Sequence, residues 1–183
     1  MTKIDYKGQA FSTFQLLIAA IVAIVILTIL LGILGLLPFP FFQEDPIKAA
    51  RDSLTNAYSQ RATLINTGPV TFDPGKIMLA RSIVVDNDVG IDEKQLCLSL
   101  GDFSQDTEAW SSNSDGSRIA YKGSVPKKVK LSLLCDVGES LKDTLDEYGE
   151  EGGVSSSWVD NCPCVTNTPK EICCVIALRY NTS

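Results

Sequence analysis

From Leu16 to Leu37 the chain carries no charged residue, and the charge-free zone runs wider still, from Gly8 to Gln43. Thr28, Gly32 and Gly35 are the only interruptions of the apolar run, and membrane helices tolerate all three. A helix of that length rises about 33 Å, roughly the thickness of the hydrocarbon layer of a bilayer. The pattern therefore predicts a transmembrane helix. It is longer than the apolar region of a secretory signal peptide and ends in Leu-Pro-Phe-Pro-Phe-Phe rather than at a small-residue cleavage site, so it is read as retained. Pro38 and Pro40 end it, and Phe39, Phe41 and Phe42 suit headgroup depth.

The periodicity changes after residue 43. Asp45 followed by Pro46 is a helix start, and Ile47, Ala50, Leu54, Ala57, Tyr58 and Ile65 give a stripe of helical spacing that Gly68-Pro69 closes. Strand patterns follow at 76–85, 95–100, 117–121, 128–135 and 172–180, with the 128–135 stretch alternating basic and apolar as a half-exposed strand would. A short amphipathic helix is expected over 140–148 with Ser140 as its cap, and 110–116 and 149–157 read as loops. The predicted fold class is α+β: an N-terminal transmembrane helix, then a small disulfide-bonded ectodomain with an antiparallel β-sheet.

Charge refines the topology. Of 16 Lys+Arg and 22 Asp+Glu, only Lys3, Lys7 and Asp5 precede the apolar run. Positive-inside bias keeps that end in the cytoplasm and sends residues 44–183 out. The net charge of −6 argues against a nucleic-acid surface. Without histidine there is no Ser-His-Asp triad, no His-activated cysteine and no imidazole metal ligand.

The junction before the helix reads Lys7-Gly8-Gln9-Ala10-Phe11-Ser12-Thr13-Phe14-Gln15. This resembles the class III signal peptide of archaeal type IV pilin-like proteins. The resemblance implies cleavage after Gly8 by a prepilin-type peptidase on the cytoplasmic side. Residues 1–8 would be the leader, 9–43 the membrane helix and interface segment, and 44–183 the extracellular domain. Implied partners are the membrane, that peptidase, and copies of the chain or other pilin-like subunits. At the fifth mature position, where many members carry glutamate, this chain has Thr13.

All six cysteines, Cys97, Cys135, Cys162, Cys164, Cys173 and Cys174, fall on the outward side of that topology, where an even count reads as disulfides. Adjacent Cys173 and Cys174 point to opposite faces of a strand and so take different partners. The expected scheme gives each of them one cysteine of the Cys162-Pro163-Cys164 loop and joins Cys97 to Cys135. Two other chemistries stay open at this point. Cys162, Cys164, Cys173 and Cys174 offer four thiolates for zinc, although without C-x2-C spacing, and Cys-x-Cys is a candidate redox pair.

Little else carries chemistry. Asp86-Asn87-Asp88-Val89-Gly90-Ile91-Asp92-Glu93 places oxygens at alternate positions but fails EF-hand spacing, which leaves a solvated turn. Asp143, Asp146, Glu147, Glu150 and Glu151 form an acidic helix face, and Lys127, Lys128 and Lys130 a small basic patch. Asn181-Thr182-Ser183 fits the N-glycosylation pattern. No catalytic residue, resident metal or cofactor is expected. The sequence reads as a pilin-like structural subunit of a surface filament, and alternatively as an uncleaved membrane-anchored ectodomain that acts in binding or adhesion.

Overall fold

A computed structural model describes residues 9–33, 44–85 and 89–181, with side chains over 15–27, 44–85, 89–149 and 153–181. The chain divides into two compact units, Met1–Gln43 and Glu44–Ser183. In the first, helix α1 spans Gln9–Ile33, 25 residues without a charge. Its described side chains, Gln15 to Leu27, cover about 20 Å of helix axis. Among the described residues, no helix is long and apolar enough to cross a membrane. These side chains are exposed on every side, from Leu16 (71 %) to Leu27 (55 %). The 34–37 end of the apolar run and the Pro38–Phe42 segment lie outside the described residues.

The second unit is α+β. Helix α2 (Pro46–Ser59) starts where Asp45 and Pro46 place it. One Asp45 carboxylate oxygen accepts the backbone N–H groups of Ile47 (2.8 Å) and Lys48 (3.3 Å). The other pairs with the Lys76 ammonium. Burial pushes the Asp45 pKa up, but the hydrogen bond from Lys76 and the two backbone donors together outweigh it and hold the carboxyl below its ordinary value. The stabilisation is therefore present above the unfolded carboxylate value and is lost as pH falls through the lower folded one. Asp45→Ala is expected to cost about 1 kcal/mol at neutral pH. Urea unfolding of both proteins checks this, and their difference should shrink below about pH 4.

Where the stripe predicted one helix to residue 68, α2 stops at Ser59. Ala62 adopts a φ of +56° and strand β1 (Ile65–Asn66) follows, so Ile65 lies on a sheet. Strand β2 (Val70–Phe72) alternates apolar and polar over only three residues, too few for a sequence reading to catch. The stretch over 76–85 also divides, into strand β3 (Ile77–Leu79) and helix α3 (Ala80–Val84). Ala80 and Ile83, three residues apart, must both be buried, and only a helical turn puts them on one face. Strands β4 (Leu96–Ser99), β5 (Trp110–Ser112) and β6 (Arg118–Tyr121) come next, so 110–112 is strand rather than loop. Strand β7 (Lys127–Val137) leads into helix α4 (Gly138–Gly152), which is longer than expected and capped by Val137, not Ser140. A short helix α5 (Pro163–Asn167) precedes the last strand, β8 (Ile172–Tyr180).

Two sheets result. The larger has the order β1-β7-β8-β4, with β2 also on β7; the smaller is β3-β6-β5. The expected purely antiparallel sheet is corrected by one pairing: β4 lies parallel to β8, with Cys97 opposite Val175. The strand over 128–135 is half-exposed only at its start, where Lys128 and Lys130 alternate with buried Val129 and Leu131. Leu131 to Cys135 are all buried, because both faces of the large sheet are covered. On one face, Leu133, Cys135, Cys174, Ile176 and Leu178 pack with Ala50, Leu54, Phe72 and Trp110. On the other, Leu134, Cys173, Val175 and Ala177 pack with Leu141, Leu145, Trp158 and Val159. At Gly101, a φ of +52° and the missing Cβ let the chain turn directly against the Leu178 carbonyl.

Candidate functional site

The alternation of β8 sorts the cysteines. Cys174 faces the α2 side and Cys173 the α4 side, as expected of neighbours on a strand. The register sets Cys135 of β7 opposite Cys174, Cα to Cα 4.1 Å, and the two are bonded. On the other face Cys164 bonds Cys173, and Cys97 bonds Cys162. The expected Cys97–Cys135 bridge and the bond from the Cys162-Pro163-Cys164 loop to Cys174 are therefore corrected. Strands β4 and β7 flank β8 on opposite sides, and Cys97 and Cys135 point to opposite faces. No bond can join them. Of the expected scheme, the bridge from the loop to Cys173 stands.

The same sorting removes the zinc set read from the sequence, because Cys174 lies across the sheet from the other three. In its place Cys97 joins Cys162, Cys164 and Cys173. The Sγ atoms of Cys97, Cys164 and Cys173 lie within 4.8 Å of one another, and Cys97 Sγ is 4.0 Å from Cys164 Sγ. Rigid elements position each sulfur. Cys97 is mid-strand in β4 and Cys173 is in β8; Cys162 caps α5, and Pro163 opens that helix at its first position. All four are buried to 2 % exposure or less. A redox pair needs an accessible thiolate in an electropositive surrounding, so this burial argues for structural bridges.

A cavity of about 410 Å³ opens beside the cluster, with Leu96 and Pro163, the chain neighbours of three of these cysteines, in its wall. Arg81, Glu93, Lys94 and Asp115 bring charges of both signs to it. Hydrogen bonds from the Ser117 hydroxyl (2.7 Å) and backbone N–H (3.1 Å) hold the Asp115 carboxyl below its ordinary value.

The remaining sequence candidates fall elsewhere. Gly8 lies outside the described residues, and Gln9 is the first residue of α1. The 86–88 part of the acidic turn also lies outside them. Its Asp92 accepts the Lys94 N–H and caps the short turn Glu93–Gln95, a structural role. Asp143, Asp146 and Glu147 form the exposed face of α4, while the side chains of Glu150 and Glu151 are not described. Lys127 and Lys128 are exposed on β7, and the Lys127 ammonium stands 5.9 Å from the centre of the Phe103 ring. Asn181, half-buried, follows β8; the other two residues of its glycosylation pattern lie outside the described residues.

The sequence reading missed the aromatic cluster. Trp110 packs against Phe72 (5.0 Å between ring centres), Tyr121 (4.6 Å) and Phe103 (5.2 Å), and its Nε1 is buried with no hydrogen-bond partner among the described residues. The signal available was the lone Trp in a Ser/Asp/Asn-rich stretch, since an indole is rarely left to solvent.

Compared with known proteins, the chain matches no protein-family model, no curated protein and no solved structure.

Proposed function

We propose that this chain is a pilin-like surface protein, held in the cell membrane by α1 with the 44–183 unit outside and cleaved after Gly8 by a prepilin-type peptidase. One observation carries the reading: directly after Lys7-Gly8 begins a 25-residue helix that is apolar on every side and exposed wherever its side chains are described. A helix apolar all round is stable in a protein core or in lipid. The charge-free sequence from Gly8 to Gln43 exceeds the roughly 20 residues that a helix needs to cross a hydrocarbon layer of about 30 Å. The three bridges of the outer unit agree with an oxidising exterior.

The logic of processing is physical. A leader of eight residues has no apolar region of its own, so cutting after Gly8 leaves the anchor on the product. The anchor can then stay in the bilayer or pack against the same helix of other copies in a filament. Co-expression with a prepilin-type peptidase tests this. The wild-type chain is expected to lose Met1–Gly8 and stay with the membranes after alkaline washing, while Gly8→Val keeps its full length. Cleavage that ignores Gly8→Val, or a chain that washes off, contradicts the proposal. An intact chain that stays in the membrane supports the anchored binding module instead.

A further inference from the structure

We propose that Cys97, Cys162, Cys164 and Cys173, when reduced, form a tetrathiolate site for one divalent ion of the zinc class. The α4 side of the large sheet would then close in two ways: two disulfides when oxidised, one metal ion when reduced. This inference goes beyond the membrane reading and does not depend on it.

One unbonded pair of sulfurs already stands near the separation a metal needs. In a tetrahedral site with zinc–sulfur bonds of about 2.3 Å, sulfurs lie roughly 3.8 Å apart. Cys97 and Cys164 are 4.0 Å apart, and Cys173, bonded to Cys164 in the oxidised form and freed from it on reduction, is within 4.8 Å of Cys97. Cys162, bonded to Cys97 in the oxidised form, is the fourth sulfur within reach. Two ligands come from the Cys-x-Cys start of α5 and one each from β4 and β8, so three separate elements would be tied through one ion, as they are through two bridges. Four soft thiolates in tetrahedral array select zinc, or cobalt as its spectroscopic substitute, over hard cations. Cys135 and Cys174 are excluded, because they bond each other on the opposite face.

The two forms interconvert with balanced electrons. Two molecules of a small disulfide oxidise the four metal-bound thiolates. Each external S–S bond takes two electrons and leaves as two thiolates, two protein S–S bonds form, and the divalent ion is released. Net charge is conserved: two negative charges on the metal tetrathiolate become two positive on the ion and four negative on the released thiolates.

The test uses the full-length chain in detergent, reduced with a phosphine under nitrogen and titrated with Co2+. The expected result is one Co2+ per chain, with thiolate-to-cobalt charge-transfer and tetrahedral d–d absorption. Affinity should fall about tenfold or more in Cys164→Ser and hold within about twofold in the double variant Cys135→Ser/Cys174→Ser. Zinc-edge absorption spectroscopy needs no variant and should read four sulfur neighbours at about 2.3 Å. Absence of a saturable tetrahedral signal, a signal indifferent to Cys164→Ser, or oxygen and nitrogen in the zinc shell would overturn the proposal.

Discussion

Reduction in metal-free buffer is expected to lower the melting temperature of the protein by roughly 20–40 °C. The bridges close loops with sequence separations of 65, 39 and 9. Chain entropy assigns about 4 kcal/mol to each of the two long loops and somewhat under about 3 kcal/mol to the short one. Together that approaches the whole stability of an ordinary domain, and in a unit of this size each kcal/mol moves the midpoint by about 2–4 °C. Because every cysteine is buried, reduction waits on opening of the fold, and its rate should follow the unfolding rate. Paired serine substitutions separate the bridges: Cys97→Ser/Cys162→Ser should cost about 1.5 kcal/mol more than Cys164→Ser/Cys173→Ser. A chelator added to the oxidised protein should leave its melting curve where it was. Calorimetry reads all of these.

How far that result could be foreseen depends on which contacts are local. Strand β8 was legible because Ile172 to Leu178 is an unbroken apolar run. The start of α2 was legible because Asp45 and Pro46 act within one turn. The opposite orientation of Cys173 and Cys174 follows from the pleat alone. Their partners do not. Cys135 meets Cys174 through the β7–β8 register, and Cys97 reaches the α5 loop because β4 runs parallel to β8. Both are long-range pairings that no spacing encodes. Local composition misled at Trp110, where Ser, Asn and Asp residues masked an edge strand whose single indole fills the core. It misled again over 76–85, where β-branched residues serve a buried helical turn.

Trp110→Ala is expected to cost about 3–5 kcal/mol, the largest loss from any single truncation of the α2-side core. Its indole is 1 % exposed and meets three aromatic rings, so the alanine leaves a cavity among rigid neighbours. Trp110→Phe should stay within about 1.5 kcal/mol of the wild type. It keeps a ring against Phe72, Phe103 and Tyr121. It also removes a buried Nε1–H that has no acceptor among the described residues, which returns part of a desolvation cost of about 1–3 kcal/mol. Urea midpoints of the two variants check the contrast. Equal losses would mean that the Nε1–H is satisfied in solution.

The proposed maturation has two marks: cleavage at the cytoplasmic face of the apolar helix and oxidation on the far side of the membrane. Intact mass of the protein from membranes of its native host, measured without reduction, reads both at once. The predicted species begins at Gln9, lacks Met1–Gly8, and carries six cysteines in three bridges, six hydrogens lighter than the reduced chain. A species that begins at Met1 with six free thiols would contradict the account.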